Sequence, residues 1–210
     1  MKKQTAVLAI LAVLFFCSTS RANITNVTYF SVDQNAFSCA DWSWSGNASE
    51  VPVNVYGDQL LAPGSLVLNV LADTEDPTLN IANSIDNETS FAWTKFTVNL
   101  TMAVPFTLTG VTVTAPVPGT PDWGVVSYDA TANLVGGNYV ATVVYDNGTA
   151  IPNDSITAID FGYSVHFSGS PAYTITQEMI PVPEPGTLGL VGVGTLLFGY
   201  LARRRGASRG

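Results

Sequence analysis

Residues 91–102 hold the feature that most limits the fold. Phe96, Val98, Leu100 and Met102 alternate with Lys95, Thr97, Asn99 and Thr101. Side chains along a β-strand point to opposite faces with a period of two, so this run is a strand with one face in a core and the other in water. Wrapped on a helix, the same spacing would scatter the apolar residues around the axis. The pattern recurs over 106–114, where Phe106 and Leu108 are followed by Val111 and Val113 and the parity changes across Gly110. A glycine at such a point marks a bulge. Over 156–167 it returns again, with Phe161, Tyr163, Val165 and Phe167 on one side and Gly162, Ser164 and His166 on the other. Half-buried alternation of this kind is the habit of antiparallel sheets.

Further strands are predicted at 26–32, 51–56, 65–71, 123–128, 138–145 and 173–179, separated by turn formers such as Gly136-Gly137 and Asp146-Asn147-Gly148. Residues 41–46, rich in small polar residues and ending in Gly46, read as a loop or irregular edge. Residues 115–122, with three prolines and a glycine, read as a loop. About nine strands in about 160 residues suit two packed sheets. The expected fold is therefore all-β, an antiparallel two-sheet sandwich of immunoglobulin-like or jelly-roll-like form.

The two ends differ from this middle. Lys2-Lys3, an apolar run over 6–17, and small residues at Ser20 and Ala22 form a secretory signal peptide expected to be cut after Ala22. Phe16, not a small residue, precedes Cys17, which argues against lipid attachment there. At the other end Pro181-Val182-Pro183-Glu184-Pro185-Gly186 leads into an uncharged apolar run over 187–202 and then Arg203-Arg204-Arg205. As a helix that run spans about 24 Å, a little short of the hydrocarbon core of about 30 Å. Snorkelling arginines and local thinning of the bilayer absorb the shortfall. Tyr200 suits the membrane interface, and the three arginines stop the helix on the cytoplasmic side, which leaves the residues before Pro181 outside. The expected organisation is a signal peptide at 1–22, an exported domain at 23–180, and a C-terminal signal at 181–210. Within that signal lie a motif at 182–185, a membrane helix at 187–202 and a basic tail at 203–210.

Val182-Pro183-Glu184-Pro185, one apolar helix and a terminal arginine cluster, in that order, resemble the PEP-CTERM sorting signal of exported bacterial proteins. The resemblance covers this tail, together with the signal peptide, and no more. It implies recognition by an exosortase and cleavage at or near Pro-Glu-Pro. It also implies transient residence in the inner membrane, then delivery to the cell surface or to the exopolysaccharide matrix of a biofilm.

Charge separates the same regions. Residues 23–180 hold fifteen of the sixteen acidic residues and, of the basic ones, Lys95 alone, a net charge of −14 by that count. Such a surface repels phosphate backbones and anionic membranes, which excludes a nucleic-acid partner. It is compatible with neutral polysaccharide or divalent cations. Cys39 is the one cysteine of this region, so no disulfide can form within it and stability must come from the core.

Candidate chemistry is sparse. His166, on a predicted outward face, has no second histidine and no nearby cysteine to build a zinc site or a nucleophilic triad. No catalytic residue, metal ligand or cofactor is expected. Asp73-Thr74-Glu75-Asp76 and Asp86-Asn87-Glu88 lack the spacing of a calcium loop and read as solvated turns. Trp42, Trp44 and Trp123, in or near predicted loops, are candidate carbohydrate-binding rings, with core packing the commoner fate of tryptophan. Seven Asn-x-Ser/Thr sequons occur, as a chain rich in Asn and Thr would produce by chance. The expectation is a non-enzymatic exported surface or matrix protein. A carbohydrate-binding module or adhesin is the alternative, and a hydrolase working through paired carboxylates the remote one.

Overall fold

The structure, a computed structural model, describes residues 24–31, 33–46, 50–72, 77–114, 123–167 and 172–183. The expected signal peptide at 1–22, the acidic cluster at 73–76, Glu184, Pro185, the apolar run at 187–202 and the basic tail at 203–210 lie outside these residues. So do Arg203, Arg204 and Arg205.

All the described regular structure is β. In chain order the strands are β1 (Ile24–Ser31), β2 (Phe37–Trp44), β3 (Glu50–Gln59), β4 (Gly64–Ala72), β5 (Thr78–Asn87) and β6 (Trp93–Met102). They continue as β7 (Phe106–Thr114), β8 (Gly124–Tyr128), β9 (Asn133–Val135), β10 (Asn138–Asp146), β11 (Asp154–Phe167) and β12 (Ala172–Pro183). A seven-stranded sheet runs β1-β4-β12-β6-β10-β8, with β9 also paired to β10. A five-stranded sheet runs β2-β3-β5-β11-β7.

One pair departs from the antiparallel expectation. β3 and β5 are parallel, with Tyr56 opposite Ser84 and Asn54 opposite Ala82. The cause is the connection: β4 crosses to the seven-stranded sheet between them, and a chain that leaves a sheet and returns through one opposed strand comes back in its original direction.

The sheets meet over one core. Phe96 of β6 and Tyr145 of β10 lie 5.5 and 5.4 Å, centroid to centroid, from Phe161 of β11 across the gap. Phe167 stacks on Tyr173 at 4.3 Å. These contacts join one sheet to the other, and each is worth about 0.5–1.5 kcal/mol beyond the area it buries. Alternation is as expected in β6, where Phe96, Val98, Leu100 and Met102 are buried and the residues between them half-buried. In β7, Gly110 has φ +59° and the ladder to β11 slips beside it. The bulge lets Val111 and Val113 turn to the core and sends Thr112 and Thr114 outward.

Two sets of polar groups inside this core are networked. Tyr163 donates its hydroxyl to Gln177 Oε1, and Gln177 Nε2 donates to Asn83 Oδ1 at 2.9 Å. This chain links β11 and β5 of one sheet to β12 of the other. Nearby, Asn87 Nδ2 donates to the carbonyls of Phe91 (2.9 Å) and Ile151 (3.0 Å). Its Oδ1 accepts from Thr89 N (3.0 Å) and Thr89 Oγ1 (2.6 Å), and that hydroxyl accepts from Trp93 Nε1 at 2.9 Å. The Asn87 sequon is therefore part of the core, with Asn87 fully buried.

Candidate functional site

The tail joins the fold through β12. The strand predicted to end at 179 runs on to Pro183, with Pro181 opposite Phe96 and Val182 opposite Lys95. Proline offers no N–H to a ladder and is confined to edges and bulges. Both conditions hold here. Pairing with β4 stops at Met179 opposite Gly64, so among the described residues β12 has an unpaired side beyond that point, and the register shifts between Val182 and Pro183. Thr94 Oγ1 lies within hydrogen-bonding reach of the carbonyls of Val182 (3.4 Å) and Pro183 (3.3 Å). The first half of Val182-Pro183-Glu184-Pro185 is thus held on the sheet, beside the buried Trp93.

Trp42 and Trp44 share one side of β2 in the five-stranded sheet, whereas Trp123 adjoins β8 of the seven-stranded one, so the three predicted tryptophans do not form one surface. Trp42 and Trp44 stand opposite Val55 and Val53, on the side of β2 that faces the core, and both are half-buried. Trp42 packs on Tyr29 at 4.9 Å. Residues 41–46 read as a loop because Asp41, Ser43 and Gly46 mask the alternation; the slip between Cys39 and Asp41 breaks it further. Trp123 is 3% exposed and donates its indole N–H to the Thr149 carbonyl at 2.7 Å. It offers no face for stacking.

His166 is held from both sides: Thr78 Oγ1 lies 2.7 Å from Nδ1 and Thr109 Oγ1 lies 3.0 Å from Nε2. Cys39 is a free, half-buried thiol whose pKa is raised by burial, which favours the protonated thiol over the nucleophilic thiolate. Among the described residues no group of three or more His, Cys, Asp or Glu side chains could hold a metal.

A groove of about 400 Å³, announced by no pattern in the sequence, lies on the outer face of the five-stranded sheet. Strand pairing assembles it from four strands. Asn54, Ala82, Gly162 and Thr112 form one row, and Tyr56, Ser84, Asp160 and Thr114 the next. Ala82 and Gly162, side by side, make a low floor. A Cβ on Gly162 would come within 3.0 Å of the Ile81 carbonyl, so even alanine is tight there. Tyr56 stands at the rim, 49% exposed.

The rows below this groove satisfy one another. Ser164 Oγ donates to Asn80 Oδ1 at 2.6 Å, and the two threonines hold His166. The outer face of the seven-stranded sheet does the same, through Thr174 to Asn69 (3.0 Å), Asn99 to Glu178 (3.1 Å) and Thr142 to Asn99 (3.0 Å). In the groove, by contrast, the side chains of Tyr56, Ser84, Thr112, Thr114 and Asp160 have no hydrogen-bond partner among the described residues. Its polar groups are presented to whatever occupies it.

Comparison with known proteins bears on the tail. No curated protein matches the chain, and no solved structure matches it. The family model of the PEP-CTERM protein-sorting motif matches residues 181–205, so the last three residues of β12 open the matched segment, and a motif of this kind implies sorting by an exosortase toward the cell surface.

Proposed function

We propose that the protein is a non-enzymatic component of the cell surface or extracellular matrix, freed from a transient membrane anchor by cleavage at its sorting tail. The observation that carries this is the motif match over 181–205, contiguous with a folded all-β domain. In this reading the apolar run at 187–202 holds the chain in the inner membrane, and Arg203 to Arg205 keep its end cytoplasmic. Cleavage beyond Pro183 removes the anchor and leaves every pairing of β12 with β4 and β6 intact. The signal peptide at 1–22 starts the export and is lost with it. Two features support a non-enzymatic role. Asp160 is the one carboxylate lining the groove, and two are needed for the usual hydrolysis of a glycoside. His166 is engaged by two threonines.

Intact-mass measurement of the extracellular protein from cells that possess an exosortase tests the reading. The expected species lacks residues 1–22 and everything past the Pro183-Glu184-Pro185 segment. Residues beyond Pro185 still attached to the extracellular protein would overturn it. Glu184→Ala is expected to leave the uncut chain in the membrane fraction.

A further inference from the structure

We propose that the groove on the five-stranded sheet is a binding site for a segment of neutral polysaccharide. Tyr56 is the stacking platform, and Asn54, Ser84, Thr112, Thr114 and Asp160 are the hydrogen-bonding wall. The inference rests on the reading of the chain as an exported surface protein and deepens it by naming what the exported domain holds.

Four observations carry it. The first is shape. The groove crosses β3, β5, β11 and β7, a span of about 14 Å at normal strand spacing, which fits a run of sugar rings better than a single ring. Its floor is low because Ala82 and Gly162 meet there. The second is unsatisfied hydrogen-bonding capacity. The hydroxyls of Tyr56, Ser84, Thr112 and Thr114 and the Asp160 carboxylate line a face on which the neighbouring rows have paired off. Asn54, which donates to Ser43 at 3.3 Å, keeps its amide oxygen for a ligand, and a polyol offers donors and acceptors in equal mixture.

Charge is the third. No lysine or arginine lines the groove, Asp160 is its single acidic side chain, and Lys95 is the one Lys or Arg among the described residues. A uronate, sulfated or phosphorylated polymer would meet repulsion with no compensating cation. A metal ion would find one carboxylate where calcium requires several oxygen ligands. The fourth is Tyr56, a half-exposed ring with an apolar face and a polar tip, which suits the apolar face of a pyranose. An extended peptide lying across the groove is a poorer occupant, because it gains affinity by pairing with an unpaired strand edge, and β3, β5 and β11 beneath the groove have both edges paired within the sheet, β7 alone being an edge strand.

The test uses the purified full chain in detergent micelles and isothermal titration with hexasaccharides of four neutral glucans and mannans: cello-, laminari-, malto- and mannohexaose. Hexagalacturonate is the anionic comparator. At least one neutral probe is expected to bind and the uronate not to. Tyr56→Ala should weaken that binding about tenfold, equivalent to about 1.4 kcal/mol. Ala82→Trp, which fills the floor, should abolish it, and Trp42→Ala should leave it unchanged. Thr112→Val with Asp160→Asn serves as a second groove variant should Ala82→Trp fail to reach the wild-type unfolding midpoint. Binding of none of the four neutral probes overturns the proposal. So does uronate binding of equal strength, or affinity unaltered by Tyr56→Ala. Intact mass of the exported protein separates this outcome from the fate of the tail. A cut tail with no glycan binding sinks the groove alone, and glycan binding with an uncut tail sinks the sorting reading alone.

Discussion

Asp160 and Phe161 are neighbours on β11 and live in opposite worlds. Phe161 points between the sheets, 3% exposed, with rings of Phe96, Tyr145 and Tyr163 around it. Asp160 points outward into the groove and has no hydrogen-bond partner in the described protein. The same holds along the strand: Tyr163 is fully inside, while Gly162 forms the groove floor. A strand's period of two lets one segment supply stability with its odd residues and recognition with its even ones. Substitutions on the two faces of the five-stranded sheet should therefore affect different measurements.

The largest effect is expected from Phe161→Ala, at about 3–5 kcal/mol of stability in urea unfolding. A loss under about 1 kcal/mol would mean that the sheets do not close on this ring. Next come two buried tyrosines that differ in one respect. Tyr163 donates to Gln177, so Tyr163→Phe strands a buried acceptor and should cost about 1–3 kcal/mol. The Tyr145 hydroxyl is buried with no partner among the described residues, so Tyr145→Phe should cost nothing or stabilise. Equal losses in the two variants would refute this account of the core.

Alkaline titration sharpens the same point. Burial raises the pKa of both Tyr145 and Tyr163 above the ordinary 10.0. A phenol whose folded pKa is raised ionises more readily in the unfolded chain. Its contribution is therefore complete below the unfolded value and lost as pH climbs toward the folded one. Stability should be insensitive to these groups at neutral pH and fall above about pH 10 by about 1.4 kcal/mol per pH unit for each tyrosine. Tyr145→Phe should remove one share of that slope.

Gly110→Ala is expected to cost about 1 kcal/mol, since φ +59° is strained for any residue with a Cβ. It should also disturb the bulge that aims Thr112 and Thr114 at the groove. The smallest change in stability belongs to Tyr56→Ala, within about 0.5 kcal/mol. If that variant instead lowered the unfolding midpoint as much as Phe161→Ala, the separation of the two faces would collapse.

Where apolar and polar residues alternate without interruption, as in β6, β7 and β11, the strand, its inward face and the Gly110 bulge were all legible from the residues alone. β5 was not. Its inward positions include Asn83 and Asn87 beside Leu79, Ile81 and Ile85, and its outward ones are Asn80, Ala82, Ser84 and Asp86. A segment so rich in turn formers hides its period, because buried asparagine is justified only by distant partners such as Gln177 and the Ile151 carbonyl. β9, three residues long, carries no pattern at all. The groove was illegible for a related reason. Tyr56 and Asp160 are about a hundred residues apart, and only the parallel β3–β5 pair and the β5–β11 ladder bring them together. The tryptophans drew attention by residue type, yet the half-exposed ring that fronts the groove is a tyrosine of an ordinary strand. The tail could be read because its signal is local: prolines, an apolar run and arginines in sequence.

The position of β12 has a consequence for the order in which the protein can be made. It lies between β4 and β6, so without it the seven-stranded sheet is two pieces, β1-β4 and β6-β10-β8. In the proposed export route, residues 172–180 emerge just ahead of the sorting tail. Until they arrive, the domain has no finished sheet to close its core. Closure of the sheet and arrival of the sorting signal are therefore nearly the same moment, and a chain stalled before Ala172 would present neither a completed fold nor a signal to sort.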